Sequence, residues 1–467
     1  MSTNDDEQRA RRLLAEPYRV KVVERVRLPS RAEREEILKK ASHFVVHVDS
    51  QDVFIDLVTD SGTGAMSDEQ WAGMMKGDEA YMRSRSFLAL EEAVPAIFGQ
   101  EYKYVVPTHQ GRAAEHIFME LMLDKGDVVL SNTHFDTTRA HVLHRGAEPV
   151  DLVGDWLWNF DDPLPFKGNF DLERLEIALK RHHKHVPFIM ITVLNNFACS
   201  SPVSMENIRG VARLAEQFGK PIYFDACRFA ENAWFIKNRE TGYSTRTIPE
   251  IVKEMLSYGQ GAWMSAKKDA IVNIGGFLAL KDEDLTRRCQ ERLVLYEGFP
   301  TYGGLAGRDL EAMAVGLYEG IDEAHLAQRT EQVAYLAGLF EKAGIRASKP
   351  AGGSGVFVDV ESLYGHLPPD KFPAIALTND IYLEGGIRVG AYPFHFKTVD
   401  PAGEFVDKVF QFARFAIPRR VYTKGHLDYI GDVMTRVKER APRNKGYRLL
   451  YAPTILAHFF SKFEPLE

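Results

Sequence analysis

The sequence predicts an α/β fold built around a large, mostly parallel sheet. Strand-like and helix-like segments alternate through the middle of the chain, which is the pattern of this fold class. The segment 187–194 is apolar at nearly every position, as parallel strands covered on both faces usually are. Together with the segments 206–218 and 221–226 it predicts a β-α-β unit of ordinary length.

The individual elements follow from the spacing of apolar residues and from the turn residues between them. Strands are predicted at 53–58, 104–107, 128–131, 187–194, 221–226, 262–265, 275–280, 355–360 and 387–389. Helices are predicted at 113–123, 206–218, 248–256 and 326–342, and a long helical pattern begins within 305–324. Ile208, Val211 and Leu214 show the helical spacing in one of these segments, and Gly344 ends another.

The change of pattern within 305–324 predicts two domains. A large domain at 58–321 would carry the main sheet. A smaller domain would combine 1–57 with 322–467, because the N-terminal segment precedes the sheet and has a predicted strand of its own. A chain of 467 residues is long enough for two such domains.

Composition excludes several classes of protein. The hydrophobic and charged fractions of 45% and 26% are those of globular proteins, and a net charge of -7 argues against a dedicated nucleic-acid binder. No apolar run approaches the length of a membrane span, and residues 1–12 do not resemble a signal peptide. Cys199, Cys227 and Cys289 lack a CxxC spacing, which predicts reduced thiols and a cytoplasmic protein.

Polar side chains follow several of the predicted strands at the point where each strand ends. In open α/β sheets, ligands bind outside these carboxyl ends. The residues at these positions are Asn196 after 187–194, Asp225 and Arg228 at the end of 221–226, Ser265 and Lys268 at the end of 262–265, and Gln110 and Gly111 after 104–107. The last two open a predicted helix, and a helix N-terminus with a glycine favours phosphate.

These residue types suit pyridoxal 5′-phosphate (PLP). The cofactor needs a lysine for its Schiff base, an acid to keep its pyridine nitrogen protonated, and a phosphate cradle. Lys268 and Asp225 can fill the first two roles, Gln110–Gly111 with Ser265 can form the cradle, and Phe135 could stack on the ring. Each group alone has an ordinary alternative, since a Lys-Lys pair is usually a solvated turn and a strand-end Asp is often a cap. Several such groups on successive strand ends favour the cofactor site.

Nine motifs spread along most of the chain are long enough to be specific. They are TDSGT at 59–63, GDEAY at 77–81, PTHQGR at 107–112, FKGNFDL at 166–172, PVSM at 202–205, DACRFAEN at 225–232, SAKKD at 265–269, YGGL at 302–305 and IPRR at 417–420. In these motifs the chain resembles the β-eliminating lyases, the family of tryptophanase and tyrosine phenol-lyase. The resemblance implies an aspartate-aminotransferase-like, fold-type I PLP enzyme with a seven-stranded large sheet and a smaller α+β domain. It also implies a homotetramer, arranged as a dimer of dimers.

The resemblance implies roles for the cofactor site. Lys268 would form the Schiff base and abstract the Cα proton, and Asp225 would pair with the pyridinium nitrogen. Arg228 and Asn196 would contact the region of the cofactor's phenolic oxygen. The cofactor's phosphate and ring would lie against Gln110, Gly111, Arg112, Ser265 and Phe135.

Further roles concern the substrate and a cation. By resemblance, Arg419 would bind the substrate α-carboxylate, which suits its bidentate fork, and Thr59 would lie near the substrate. Tyr81, reaching in from a neighbouring subunit, would donate a proton to the leaving group. The family requires potassium, which Gly62, Glu79 and Asn273 would hold, since carbonyl and carboxylate oxygens suit a hard cation. The reaction would be β-elimination, releasing pyruvate, ammonia and the leaving group.

The choice of substrate depends on a few positions. Asp136 and His458 match the tryptophanase branch, where the phenol-lyase branch has Thr and Phe, whereas the motifs at 71–75 and 304–309 lean towards the phenol-lyase branch. Tyr392 aligns with the arginine that the phenol-lyase branch uses for the phenolic hydroxyl, and matches neither branch. These positions predict a tryptophanase-like lyase that cleaves an aromatic L-amino acid.

A further departure leaves other substrates open. Cys199-Ser200-Ser201 stands where the family has glycines, and side chains there would narrow or reshape the site. The alternatives are therefore a tyrosine phenol-lyase-like enzyme and a lyase for another β-substituted amino acid, such as an S-substituted cysteine. A PLP transaminase and a PLP-fold protein without lyase activity are the remaining hypotheses.

Overall fold

The computed structural model describes residues 16–454 and 456–467, except for the side chains of residues 391–394. The strands are β1 (Ile55–Leu57), β2 (Tyr104–Thr108), β3 (Val128–Ser131), β4 (Glu148–Asp151), β5 (Ile189–Thr192), β6 (Ile222–Asp225), β7 (Gly261–Ser265), β8 (Gly276–Leu280), β9 (Gly355–Asp359), β10 (Ile387–Val399), β11 (Phe405–Ala416), β12 (Tyr447–Tyr451) and β13 (Lys462–Pro465). The helices are α1 (Arg31–Lys40), α2 (Asp68–Lys76), α3 (Arg85–Phe98), α4 (Gly111–Met122), α5 (Asp136–His144), α6 (Leu172–His182), α7 (Met205–Gln217), α8 (Phe229–Arg239), α9 (Ile248–Ser257), α10 (Glu283–Tyr296), α11 (Gly307–Gly320), α12 (Glu323–Lys342), α13 (Glu361–Tyr364), α14 (Pro373–Gly385), α15 (Lys424–Arg440) and α16 (Ala457–Phe460).

The large sheet has seven strands in the order β2-β8-β7-β6-β5-β3-β4. β8 pairs antiparallel with both β2 and β7, and the other pairs are parallel. The prediction of a seven-stranded, mostly parallel sheet is therefore confirmed. The antiparallel strand is β8, which follows β7 after a short connection.

The large sheet is buried on both faces, as its apolar strands require. Successive side chains of a strand point to opposite faces. Ile189 and Ile191 accordingly pack in the same hydrophobic cluster as Ile208 of α7. Met190 lies between them in sequence and belongs to a cluster on the other face, with Phe118 of α4.

A second sheet has the order β1-β10-β11-β9 and its own hydrophobic core. β1 pairs parallel with β10, with Ile55 opposite Ile387, so the N-terminal strand joins a sheet made otherwise of C-terminal strands. The division into domains at 58–321 and at 1–57 with 322–467 stays a prediction. None of the described helices is long and apolar enough to cross a membrane.

The largest difference from the predicted elements is the hairpin of β10 and β11. The predicted strand at 387–389 continues to Val399, and β10 pairs with β11 from Gly390–Arg414 to Val399–Phe405. Gly390 and Pro393 interrupt the strand pattern in the sequence, and residues of both types are depleted in strands. The hairpin also contacts the large sheet, where Lys397 pairs with Glu148 of β4 at 2.7 Å.

Candidate active site

The predicted site residues gather at the carboxyl edge of the large sheet. Asp225 ends β6 and Ser265 ends β7, and these two strands are parallel neighbours. Gln110 forms a bridge with Gly275 just before β8, which brings the start of α4 to the same edge. The edge arises because parallel strands end on the same side of a sheet.

Lys268 lies in the turn that follows β7. Its backbone N–H donates to the carbonyl of Ser265, at 3.3 Å. The residue is only 8% exposed, and its Nζ lies 5.8 Å from the ring centre of Phe135. Burial of a lysine carries a desolvation cost, so the alternative of an ordinary solvated Lys-Lys turn does not apply to Lys268.

The start of α4 approaches Ser265 very closely. A Cβ added at Gly111 would lie 2.7 Å from the Cβ of Ser265, so only glycine fits this position. Gln110 precedes the helix, and its Nε2 lies 2.8 Å from the Nε2 of His109. Arg112 is exposed. The helix N-terminus, Gly111 and Ser265 thus form the compact cradle that the sequence predicts for a phosphate.

The ends of β6 and β7 are tied together by a buried cysteine. The backbone N–H of Cys227 donates to Asp225 Oδ1 at 3.1 Å, and the N–H of Ser265 donates to Cys227 Sγ at 3.1 Å. Burial and then the charge of Asp225 raise the pKa of the Cys227 thiol. The thiol therefore stays protonated and holds the two strand ends in place.

Glu115 is a buried carboxyl group beside these strand ends that the sequence analysis did not single out. Its two carboxylate oxygens accept hydrogen bonds from Thr137 Oγ1 and Thr138 Oγ1, both at 2.8 Å. Burial, followed by the negative charge of Asp225, raises the pKa of Glu115 to about 7. The sequence did contain a signal for this residue. An acidic side chain stands four residues after Gly111, on the face of α4 that is otherwise apolar and buried.

A second buried cluster combines carboxylates with guanidinium groups. Its members are Asp60, Glu231, Asp269, Arg228, Arg329, Arg414 and Arg419. Arg228 donates to Asp60 from Nη2 at 2.7 Å and from Nε at 3.2 Å, and Arg414 donates to Asp60 from Nη2 at 2.7 Å. Although burial acts in the other direction, the positive charges of Arg228, Arg419 and Arg414 hold the pKa of Asp60 well below its usual value.

Arg419, the predicted carboxylate-binding residue, contacts three carboxylates of this cluster. Its Nη1 donates to Asp60 at 3.1 Å, and its Nη2 donates to Glu231 at 2.6 Å and to Asp269 at 2.9 Å. Arg414, which the sequence analysis missed, donates to Asp60 alone among the carboxylates. Among the described residues, the Nε atoms of both Arg414 and Arg419 are buried without a hydrogen-bond partner.

Asp136 and His458, the two positions that match the tryptophanase branch, lie together. His458 Nε2 is 3.2 Å from Asp136 Oδ2. The backbone N–H of Thr137 donates to the other oxygen of Asp136, at 2.5 Å. The C-terminal helix α16 thus places an imidazole at the start of α5, next to Phe135.

Asn196 is connected to the segment that departs from the family. Ser354 Oγ donates to Asn196 Oδ1 at 3.4 Å and is also hydrogen-bonded to Ser200 Oγ. Cys199 and Ser200 are buried and have φ values of 53° and 50°. These left-handed conformations favour glycine, so two side chains occupy backbone that strains them. Tyr392 pairs in register with Phe412, but its side chain lies outside the described part of the structure.

Two predicted site residues, Tyr81 and Thr59, are not fully buried. Tyr81 is 61% exposed and contacts the rings of Phe299 and Tyr302. A hydrogen bond with Tyr302 raises the pKa of Tyr81. Thr59 is half-buried beside Asp60, and its Oγ1 accepts from the N–H of Ser61 at 3.1 Å.

The predicted potassium ligands are only partly together. Asn273 Nδ2 donates to the carbonyl of Gly62 at 3.0 Å. The carboxylate of Glu79 instead accepts from the N–H of Gly307 at 2.7 Å and from Nε of Arg308 at 3.0 Å. Within one chain the three-ligand set is therefore incomplete.

Comparisons with known proteins fix the family. Residues 56–432 match the family model described as Beta-eliminating lyase. The chain belongs to this family. The lyase is 47% identical over 455 residues to a tryptophanase from Salinibacter ruber, covering 97% of this chain and 96% of that protein. It is 45% identical over 453 residues to a tyrosine phenol-lyase from Pasteurella multocida, covering 97% and 98% of the two chains.

Solved structures confirm the fold class of the lyase. An aspartate aminotransferase from Thermotoga maritima matches with a TM-score of 0.58 at 15% identity, covering 87% of this chain and 94% of that one. A threonine aldolase from Leishmania major matches with a TM-score of 0.56 at 13% identity, covering 82% and 99%. The aspartate-aminotransferase-like, fold-type I architecture is therefore confirmed. Membership of the β-eliminating lyase family, with tryptophanases and tyrosine phenol-lyases as relatives, makes the chain a PLP-dependent enzyme.

The residues of the site fit this cofactor. The space between Gly111 and Ser265 is closed to a larger residue but presents backbone N–H groups at a helix start. Lys268 is buried near the Phe135 ring, so an amine and a stacking surface lie side by side. A lysine, a strand-end carboxylate and a helix N-terminus are the donor set that PLP requires.

Proposed function

We propose that the lyase cleaves an aromatic L-amino acid, with tryptophan as its principal substrate, to pyruvate, ammonia and the aromatic leaving group. The observation that carries this proposal is the 3.2 Å contact between His458 and Asp136. An indole leaving group presents an N–H donor, which a carboxylate can accept. The names of the similar tryptophanases support the same substrate class.

Six residues would hold the cofactor and do the proton chemistry. Lys268 would hold PLP covalently through Nζ and, once displaced by the substrate amine, accept the Cα proton at the same atom. Asp225 would keep the pyridine nitrogen protonated, and Phe135 would stack on the ring. Gly111, with Gln110 and Ser265, would hold the phosphate. When bound, PLP supplies an electron sink for the charge that develops at Cα.

The substrate carboxylate would bind Arg414 rather than Arg419. The buried cluster around Asp60 contains three carboxylates and four guanidinium groups, so it carries a positive surplus even when every acid is ionised. A buried surplus of charge favours a ligand of opposite sign. Both arginines have an unpaired Nε, but Arg414 is bonded to one carboxylate, whereas Arg419 is bonded to three and braces the Lys268–Asp269 turn.

The remaining parts of the proposal concern assembly, cation and location. We propose a homotetramer in which Tyr81, exposed in the single chain, reaches the site of a neighbouring subunit and protonates the leaving group. Potassium dependence is proposed through Gly62 and Asn273, with Glu79 as the third ligand. The three cysteines are free and buried, which supports a reducing, cytoplasmic location.

A lyase for another β-substituted amino acid is the second candidate. Its supporting observation is the strained pair Cys199 and Ser200, where Cys199 packs in one cluster with Phe135 and Phe412. These side chains reshape the wall beside the proposed cofactor ring. A tyrosine phenol-lyase-like activity is a further candidate, named by relatives of similar identity.

Pyruvate release distinguishes these candidates. The PLP-loaded enzyme in potassium buffer is assayed with L-tryptophan, L-tyrosine and S-methyl-L-cysteine. We expect tryptophan to dominate, and Asp136→Thr and His458→Phe, which install the residues of the phenol-lyase branch, to lower tryptophan turnover at least about tenfold. Both variants should retain elimination from S-methyl-L-cysteine, which serves as the internal control. If the wild-type enzyme turns over tyrosine or S-methyl-L-cysteine faster than tryptophan, that amino acid is assigned as the principal substrate instead.

A further inference from the structure

We propose that Glu115 is a positioning residue for the cofactor. It ties α4, whose N-terminus forms the phosphate cradle, to α5, which begins directly after the ring-stacking Phe135. The inference deepens the proposed function and rests on the proposed PLP site at Lys268.

The first step of the argument is the geometry of the connection. Glu115 lies one helical turn after Gly111, so its side chain projects from the same face of α4 as the start of the helix. Its two oxygens bind the hydroxyls of Thr137 and Thr138, both at 2.8 Å, and all three side chains are buried. One carboxyl group thus fastens two helices whose N-terminal ends bear the cradle and the ring-stacking residue.

The second step is the charge state of the carboxyl group. The charged groups with the largest effect on Glu115 are Asp225 on β6 and Lys268 after β7, and α5 offers it only hydroxyl groups. Two buried carboxylates near each other cannot both ionise without cost, so one of them keeps a proton. Among the described residues no backbone N–H donates to the carboxyl group of Glu115, which is bound by the two threonine hydroxyls.

The third step follows from what an ionised Glu115 would do. It would place a second negative charge near Asp225, and this repulsion is one of the causes that raise the pKa of Glu115. The protonated form avoids the repulsion, and its hydroxyl hydrogen can be donated to one of the two threonines. The position therefore needs the size and hydrogen bonds of a glutamic acid without its charge, which is the chemistry of glutamine.

The test compares Glu115→Gln with Glu115→Ala in the full-length enzyme. PLP affinity is measured by equilibrium dialysis, and the asymmetry of the bound cofactor by its induced circular dichroism. We expect Glu115→Gln to keep the PLP dissociation constant within about threefold of wild type, with unchanged circular dichroism. Glu115→Ala should weaken PLP binding at least about tenfold and reduce the induced signal.

Matched variants separate positioning from general stability. Glu120, on the same helix, pairs with Arg292 at 3.3 Å and lies away from the cradle, so Glu120→Ala should leave affinity and signal unchanged. If Glu115→Ala does not fold, Thr138→Val replaces it, because it removes one of the two hydrogen bonds at nearly constant volume. It should then weaken PLP binding and reduce the induced signal.

Two results would overturn the proposal. Native PLP affinity and circular dichroism in Glu115→Ala, or in Thr138→Val where that variant replaces it, would show that the connection does not position the cofactor. Loss of affinity in Glu115→Gln equal to that in Glu115→Ala would show that a charged carboxylate is required. Failure of the wild-type enzyme to bind PLP through Lys268 is a different outcome, since it would refute the proposed function itself.

Discussion

His458 and Asp136 lie 3.2 Å apart, although 322 residues separate them in the sequence. The contact joins the short C-terminal helix α16 to the start of α5, beside Phe135. The carboxylate is almost buried and the imidazole is partly exposed. A pair of this kind can hold a proton between its members and orient a donor on the leaving group.

A double-mutant cycle tests whether this contact acts as a unit. We expect Asp136→Asn and His458→Gln each to lower kcat/KM for tryptophan, and the double variant to lose little more than the worse single variant. Residues that act through one interaction are non-additive. The measurement is pyruvate release at several tryptophan concentrations. Losses that simply multiply would show that the two side chains act independently.

Lys268 and its neighbour Lys267 provide an internal comparison for the cofactor linkage. Lys268 is buried, and Lys267 is half-buried in the same turn. Borohydride reduction of the loaded enzyme, followed by peptide mapping, should place the label on Lys268 alone. Lys268→Ala should abolish elimination, by about 10³-fold or more, whereas Lys267→Ala should remain active. A label on Lys267 would refute the assignment.

Arg414 and Arg419 should respond differently to removal of their charge. We expect Arg414→Gln to raise KM for the amino acid at least about tenfold, because it removes the guanidinium that is bonded to only one carboxylate of the cluster. Arg419→Gln leaves three carboxylates with fewer partners, and loss of one member of a buried ion pair costs about 3–5 kcal/mol. Thermal unfolding should therefore show the larger drop for Arg419→Gln. The reverse pattern would restore Arg419 as the carboxylate-binding residue.

The pH dependence of the protein's stability should contain a contribution from the titration of Glu115. Burial raises its pKa from 4.5 to about 7 in the folded state. When a carboxyl group has a higher pKa in the folded state than in the unfolded state, its contribution to stability is fully present at pH values below the unfolded-state pKa. This contribution is lost as the pH rises through the folded-state pKa. In the cofactor-free protein, Glu115→Gln should therefore flatten the fall in melting temperature between about pH 4.5 and 7. An unchanged slope would contradict the raised pKa.

Local patterns in the chain were sufficient for the fold class and for placing several candidate site residues at one edge of the large sheet. Strand ends such as Asp225 and Ser265 can be located from apolar runs, because the carboxyl ends of parallel strands share one edge. The strand at 128–131 was predicted with the bounds that the structure shows. The long hairpin of β10 and β11 was not, because its strand pattern is interrupted and its support comes from contacts with β4.

The sequence by itself therefore determined the family, the α/β fold and which groups are candidates for the chemistry, since these depend on residue type and on order along the chain. Only the tertiary structure decided which charges face one another. It placed Arg419 among three carboxylates, gave Arg414 a single carboxylate partner, and brought Glu115 close enough to Asp225 for the charge of Asp225 to raise the pKa of Glu115. Such pairings depend on burial and on distances between remote segments, and local spacing does not encode either quantity.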